Sequence, residues 1–277
     1  MNRHLMRLAV PAAFVLLTTV ALPAEAQFDH TYVSRSGSSL AADCGLLGNT
    51  CNSVKLAINN TNPGGTVYIL DAGNRRGSGT DPASVTINKS ITIVAAEGAT
   101  SVSSGEFAAV LLEHVPGIVI EAGPEDIVAL RGVSVTQGDS GDFPGIIVKS
   151  AGVVHLSDCF VRNMSGAAGI ALDVQPTTDT RVVVSNCTFA GNFGGIRVAP
   201  DSGSAMVLLD DVTVDGNQAF GVQAIGNKAE VSFNETIVSG NGIGLDARNG
   251  ARLISFRNNI VGGNGTDGRF TGAASLK

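Results

Sequence analysis

The sequence has little of what most binding and catalytic sites are built from. Among its 277 residues there is no tryptophan, and there are two tyrosines and four histidines. Scarce aromatic rings weigh against an aromatic platform for sugars, and scarce histidines leave few groups that titrate near neutral pH. Lys and Arg form no runs and the net charge is −6, which excludes nucleic acid and anionic lipid as expected partners.

Only one long apolar run is present, Leu8–Leu22, and it follows the basic residues Arg3 and Arg7. A small-x-small site ends at Ala26, so we expect a signal peptide over residues 1–26. The run is shorter than the ~20 residues of a membrane span, and a retained N-terminal anchor is the alternative. We therefore expect an exported protein, periplasmic or secreted, with no membrane span after cleavage.

Two of the four cysteines, Cys44 and Cys51, lie seven residues apart ahead of any repeat. In an oxidising compartment such a pair is expected to form a disulfide, with two free thiols as the alternative. No His or further Cys stands nearby at metal-ligand spacing, which disfavours a zinc site.

Glycine is abundant, with 35 residues, and a repeat of about 25 residues fills the second half of the chain. Each copy has two short alternating stretches of Val, Ile, Leu and Phe and ends in Gly-Asn, and a third short stretch follows. The copies begin at Val182, Val207, Val231 and Ile254, and degenerate copies precede them.

Three strands per repeat, with no room for a helix, predict an all-β chain coiled as a single-stranded right-handed parallel β-helix, a solenoid. At about 4.8 Å per turn, we expect about eight turns between Thr66 and Val261. Two alternative folds do not fit. The sequence lacks the signature of a leucine-rich repeat, and a β-sandwich would show no fixed repeat. The predicted segments are a cap over 27–65, the β-helix over 66–265 and a C-terminal tail over 266–277.

Equivalent positions of the copies should stack in columns. The pair Cys159 and Cys187 falls in an inward column, as small core side chains or, alternatively, as a disulfide between turns. The closing asparagines should form a ladder at a turn, with stacked amides that bond along the column and the left-handed backbone that asparagine tolerates. They are Asn192, Asn217, Asn241 and Asn264.

Both ends of such a stack must be covered. The segment Ser53–Asn59 predicts a short amphipathic helix that caps the N-terminal end. The tail carries no repeat and is expected to be a loose cover or a disordered end.

The opening of the mature chain, with Tyr32-Val33-Ser34, the two cysteines and Pro63-Gly64-Gly65-Thr66-Val67-Tyr68-Ile69, resembles exported bacterial right-handed β-helix repeat proteins. The Asn258–Gly268 segment is similar too. This group is largely uncharacterised and lies within the pectate-lyase-like superfold, so the resemblance implies fold rather than activity.

Most enzymes on that superfold cleave or epimerise acidic polysaccharides, and their Gly-His-Gly, Arg-Ile-Lys and Asp-Pro-His-Asp elements are absent here. The pair Asp210-Asp211 looks like a hydrolase aspartate pair, but strand neighbours are expected to point to opposite faces.

Lyase-like enzymes need Ca²⁺-binding carboxylates and a base. The column Asp158, Asn186, Asp211, Glu235, Asn258 is expected to point outward, and Asp211 and Glu235 are the weak Ca²⁺ candidates. The weak catalytic candidates are Asp211, Glu235, Arg197 and His155. No other cofactor is expected.

We therefore expect an envelope or secreted protein that presents an elongated polar face without catalysis, binding a polysaccharide or another envelope protein or acting as a structural component. The alternative is a carbohydrate-active enzyme, a polysaccharide lyase or glycoside hydrolase, on an acidic polysaccharide.

Overall fold

In a computed structural model, residues 28–38, 44–71, 85–95, 108–112, 117–137 and 142–275 are described. The predicted signal peptide, His114 and the last two residues lie outside them. No helix in these segments has the length and apolarity of a membrane span.

The described chain contains twenty-two strands and one short helix. In chain order the elements are β1 (Phe28–Ser38), α1 (Val54–Asn60), β2 (Thr61–Ile69), β3 (Val85–Ile87), β4 (Ile91–Ala95), β5 (Ala108–Leu112), β6 (Ile118–Glu121), β7 (Ile127–Arg131), β8 (Val133–Gln137), β9 (Ile146–Ser150), β10 (Val153–Ser157), β11 (Phe160–Arg162), β12 (Ile170–Val174), β13 (Thr180–Ala190), β14 (Gly194–Val198), β15 (Ala205–Asp215), β16 (Phe220–Ile225), β17 (Ala229–Asn234), β18 (Ile237–Ser239), β19 (Ile243–Arg248), β20 (Arg252–Ser255), β21 (Ile260–Gly262) and β22 (Gly272–Ala273).

These strands form a parallel β-solenoid. A 15-stranded sheet runs β1-β2-β4-β7-β10-β13-β15-β17-β20-β22 and carries the second strand of each turn as a branch. A 7-stranded sheet runs β19-β16-β14-β12-β9-β6-β3. The fold class predicted from the repeat is confirmed.

The prediction of about eight turns was too high, because the solenoid has about six. Six turns contain all three strand positions, from β4 to β19. At the N-terminal end, the turn of β2 and β3 has no described second strand. At the C-terminal end, the turn of β20 and β21 adds no third strand to the 7-stranded sheet, which ends at β19. The sequence interval was long enough for eight turns, but its two ends form incomplete ones.

The core is a set of stacked inward columns. One column runs through Val184, Leu209 and Phe233, all fully buried. The next residue in register is Ser255, not the Phe256 that the repeat alignment suggests. The last turn has one residue more between its two strands than the turn before it, so the alignment slips by one position there.

Cys159 and Cys187 lie in another inward column, each 2% exposed, and both are free thiols. The Cys159 amide donates to Cys187 Sγ at 3.3 Å. The hydrogen bond with Cys187 lowers the pKa of the Cys159 thiol, whereas the same hydrogen bond and burial raise the pKa of Cys187. The two cysteines are therefore core side chains, as the first of the two sequence interpretations has it.

The asparagine ladder is present; Asn192, Asn217 and Asn241 are buried, and Asn264 at its C-terminal end is half-buried. Asn192 Nδ2 donates to Asn217 Oδ1 at 2.9 Å, and Asn217 Nδ2 donates to Asn241 Oδ1 at 2.8 Å. The expectation of a left-handed backbone at asparagine was wrong, because the preceding glycine takes it. The φ values are 66° at Gly191, 63° at Gly216, 65° at Gly240 and 73° at Gly263.

Both ends are covered. At the N-terminal end, α1 buries Ala57 and Ile58, and the predicted Cys44–Cys51 disulfide is present with a Cα–Cα distance of 4.7 Å. The strand β1, inside the predicted cap, already belongs to the large sheet through β2. At the C-terminal end, Phe270 packs edge-on against Phe233 at 5.1 Å between ring centroids, and β22 pairs with β20. The described part of the tail is thus an ordered cover.

A carboxylate in the N-terminal half joins two turns and makes stability depend on pH. Asp126 Oδ1 accepts from Ser90 Oγ at 2.5 Å and from the Ser90 amide, and Oδ2 accepts from the Gly123 amide at 2.7 Å. The Ser90 hydroxyl, opposed by some desolvation, holds the pKa of Asp126 below its ordinary value. A carboxyl with a lowered folded-state pKa stabilises the fold above its unfolded pKa and loses that contribution as pH falls.

We predict that Asp126→Asn lowers the thermal midpoint by about 2–4 °C at about pH 7, because the amide cannot accept from the Gly123 amide through its nitrogen. As pH falls through the lowered pKa of Asp126 and the carboxyl becomes protonated, the difference should shrink. Thermal melts of the two proteins across this range test it, with Glu125→Gln as an exposed neighbouring control. A constant gap at every pH would contradict the assignment.

Candidate functional site

A continuous polar strip runs along one corner of the solenoid, where the two strands of each turn in the large sheet meet. Its residues in the two outward columns at this corner are Arg131, Ser157, Asp158, Ser185, Asn186, Asp210, Asp211, Asn234 and Glu235. In the last turn the two column positions are Phe256 and Arg257, and Asn258 follows them on the same surface. The strip crosses six turns and is about 24 Å long at the strand spacing of a sheet.

The corner exists because one residue per turn adopts a left-handed backbone. These residues are Asp158, Asn186, Asp211, Glu235 and Arg257, with φ between 47° and 73°. Asp and Asn reach this conformation more easily than most residues, which explains their frequency at the corner. In the last turn the position belongs to Arg257, so the predicted column ending at Asn258 is wrong by the same one-residue slip.

The left-handed residue also overturns the prediction for Asp210 and Asp211. In a regular strand, neighbouring side chains would point to opposite faces. Here the bend at Asp211 turns its side chain outward as well, and neither aspartate is buried. The two carboxylates therefore share one surface.

Hydrogen bonds between turns hold most of the strip in place. Arg131 Nε donates to Asp158 Oδ2 at 3.2 Å, and Asn186 Nδ2 donates to Asp158 Oδ1 at 2.8 Å. Further along, Asn234 Nδ2 donates to Asp210 Oδ1 at 2.5 Å, and Asn258 Nδ2 donates to Asn234 Oδ1 at 2.7 Å. The polar groups are thus oriented before any ligand arrives.

The two Ca²⁺ candidates, Asp211 and Glu235, stack on neighbouring turns of this strip. No described residue donates a hydrogen bond or an ion pair to either carboxylate. Arg257 follows Glu235 in the stack and supplies positive charge beside it. Among the described residues, no group of three or more His, Cys, Asp or Glu side chains is placed to hold a metal ion. A Ca²⁺ site at this pair stays a prediction.

The structure does not bring the four catalytic candidates together. His155 is exposed on β10 between Ala129 and Val183, two turns away from Asp211 and about 14 Å from it by strand geometry. Arg197 lies on β14 in the other sheet. An acid, a base and a charge stabiliser must converge on one bond, and this set does not.

Arg197 has a different partner, which the sequence did not suggest. Its Nε donates to Asp173 Oδ1 at 2.9 Å and its Nη2 to Asp173 Oδ2 at 2.5 Å, and the Asp173 side chain is 1% exposed. Aligned third strands place Asp173, Arg197, Gln223 and Asp246 in one register column. Comparing these positions of the repeat could have found the column.

We predict that Arg197→Ala lowers the free energy of unfolding by about 2–3 kcal/mol, because it leaves a buried carboxylate without its cation. The matched control is Arg248→Ala, since Arg248 pairs with Asp246 at 2.8 Å but is 54% exposed. That change should cost less than about 1 kcal/mol. Urea unfolding of both variants tests the pair, and equal losses would show that burial of Asp173 is not what matters.

Two aromatic rings extend the strip toward the N-terminal end, and these were also missed. The register column of Arg131 continues through Val94 to Tyr68 and Tyr32. The two tyrosine rings are half-buried and stacked at 5.3 Å, and the exposed His30 lies 5.9 Å from Tyr68. They precede the recognisable repeats, so repeat alignment could not place them on this line.

A match to a family model supports the fold. Residues 144–275 match the family model described as "Right handed beta helix region". A solved structure named rhamnogalacturonan lyase is similar at 11% identity and a TM-score of 0.48, covering 82% of this chain and 66% of that one. The chain thus spans about two thirds of that protein's length. No curated protein sequence matches. The parallel solenoid described above is a right-handed parallel β-helix.

Proposed function

We propose that this chain is an exported, non-catalytic β-helix protein that uses the polar strip and its tyrosine pair to bind a neutral glycan or a partner protein of the cell envelope. The observation that carries the proposal is a single register line at one strand spacing, on which two tyrosine rings are followed by a valine, an arginine, two serine hydroxyls, a carboxylate and an amide. In chain order its residues are Tyr32, Tyr68, Val94, Arg131, Ser157, Ser185, Asp210 and Asn234. An extended polymer can follow such a line from turn to turn.

The composition of the strip favours a neutral ligand. Four carboxylates, Asp158, Asp210, Asp211 and Glu235, face two guanidinium groups. Without a bridging cation, this balance repels an acidic polysaccharide and suits hydroxyl-rich or basic ligands. Half-buried tyrosine rings add apolar contact area for a sugar ring or a partner side chain.

Export is part of the same proposal. It is supported by the apolar leader of the sequence and by the Cys44–Cys51 disulfide, since disulfides persist in oxidising compartments. The alternative, a polysaccharide lyase or hydrolase, would need its reacting groups at one point. The four candidate residues give it no such point, because His155 and Arg197 lie away from Asp211 and Glu235.

The experiment is a thermal-shift screen of the purified protein against neutral and acidic polysaccharides, each with and without Ca²⁺. A ligand that binds the native state alone raises the melting temperature. We expect a neutral glycan to raise the melting temperature of the parent protein. The increase should be lost in Tyr68→Ala and in the double variant Asp211→Asn/Glu235→Gln. The control is Asp201→Ala, an exposed carboxylate in a loop away from the strip. A shift confined to an acidic glycan with Ca²⁺ would favour the lyase instead.

A further inference from the structure

One outer face of the solenoid carries several apolar side chains that are exposed or half-buried. It lies beside the polar strip, on the first strand of each turn, and consists of two register columns. We call it the dimer face: Ile127, Val153, Arg181, Met206, Glu230 and Arg252 in one column, and Ala129, His155, Val183, Leu208, Ser232 and Ile254 in the other.

Seven of these twelve side chains are apolar and none is buried. Ile127 is 53% exposed and Met206 is 56% exposed. Single exposed apolar residues are ordinary on a protein surface, but neighbouring ones on adjacent strands, such as Val183, Met206 and Leu208, mark an interaction site.

One pair of opposite charges on the face, Arg181 and Glu230, is placed to complement a second copy of the same chain, and Glu230 also pairs with Arg252 of its own copy at 2.6 Å. Along the first column, Arg181 lies one turn before Met206 and Glu230 lies one turn after it. A two-fold axis parallel to the strands and passing through Met206 reverses the order of turns in the facing copy. Arg181 of each copy then faces Glu230 of the other, while Met206 and Leu208 face their own equivalents.

We propose that the chain forms a two-fold symmetric dimer through the dimer face, with the solenoid axes of the two copies antiparallel. The inference does not depend on the proposed function. Because the axis runs along the strands, the polar strips of both copies lie along the same edge of the dimer and stay open to ligand.

The size of the face sets the strength of the dimer. With the axis through Met206, the five turns from Val153 to Arg252 face the other copy and Ile127 lies beyond the overlap. Five neighbouring strands and the five residues up to the polar strip cover about 24 Å by 16 Å, which is on the order of 800 Å² for two copies. Specific stable interfaces bury about 1,200–2,000 Å², so this one falls in the weaker, reversible class. The dimer should therefore dissociate on dilution.

Sedimentation velocity of the purified protein over about a hundredfold range of concentration tests the proposal. We expect a monomer–dimer equilibrium that Met206→Glu shifts to monomer at every concentration. The matched control is Ile260→Glu, since Ile260 is 61% exposed on β21, outside the dimer face. It should leave the equilibrium unchanged.

A charge swap tests the predicted pairing. In Arg181→Glu, the new carboxylate of each copy faces Glu230 of the other copy, so the interface contains two repulsive pairs and the dimer should be abolished. Glu230→Arg should abolish it in the same way, because two arginines then face each other. The double variant restores opposite charges across the axis and should regain dimer, although Glu230→Arg also loses the 2.6 Å ion pair with Arg252.

Circular dichroism confirms that each variant is folded before its mass is interpreted. A monomer at all concentrations overturns the proposal and leaves the face to a different partner. A dimer that persists in Met206→Glu, or a double variant no better than either single one, overturns this interface.

Discussion

Replacing Asn217 by alanine is expected to lower the free energy of unfolding by about 3–5 kcal/mol, the cost of several unpaired polar groups in the core. Asn217 is 1% exposed in the middle of the asparagine ladder. Its Oδ1 accepts from the amide and the Nδ2 of Asn192, and its Nδ2 donates to Phe189 O and to Asn241 Oδ1. Alanine leaves all these partners without a replacement in a space closed to solvent.

The matched control is Asn258→Ala. Asn258 also donates an interturn hydrogen bond, at 2.7 Å to Asn234, but on the exposed strip. Water can replace that bond, so we expect a loss below about 1 kcal/mol. Urea unfolding followed by circular dichroism measures both. Equal losses would mean that the buried ladder contributes no more than an exposed one.

The second large effect is expected at the C-terminal end of the core. Phe233→Ala should lower the free energy of unfolding by about 3–5 kcal/mol, because a fully buried ring is lost and its cavity cannot close. The stacked position in the next turn is the small Ser255, and the Phe270 ring rests against Phe233 at 5.1 Å. Both the last turns and the covering tail therefore depend on this one ring.

Thermal unfolding of Phe233→Ala and of Ile260→Ala compares the truncation of a buried large side chain with that of an exposed one. Ile260 is exposed, and its truncation should stay within about 0.5 kcal/mol. Hydrogen exchange should show the added opening in Phe233→Ala first around β20 and β22. Uniform loss of protection along the whole solenoid would contradict a local role for the ring at the C-terminal end.

The repeat predicted the fold because each inward column has one dominant chemistry. Val184, Leu209 and Phe233 stack in register as aligned, and the helix predicted at Ser53–Asn59 is found at Val54–Asn60. The prediction failed where backbone geometry departs from simple alternation. One extra residue in the last turn places Ser255 where Phe256 was expected. Nothing in the local sequence indicates this insertion.

The site was harder to predict for a related reason. Side-chain direction was read from strict alternation, and a single left-handed residue in each turn breaks it, as at Asp211. The buried partner of Arg197 lies 24 residues away, and Tyr32 and Tyr68 lie in turns too irregular for the alignment. Register between turns, which only the folded chain provides, assembles all three features.

The central claim is that the polar strip binds without catalysis. The most direct measurement follows the purified protein with its stabilising polysaccharide, recording both the melting temperature and the release of shorter products. The claim predicts a higher melting temperature that Asp211→Asn/Glu235→Gln abolishes, with no product formed by either protein. Product release by the parent protein that falls in His155→Ala or in the Asp211→Asn/Glu235→Gln variant would contradict it.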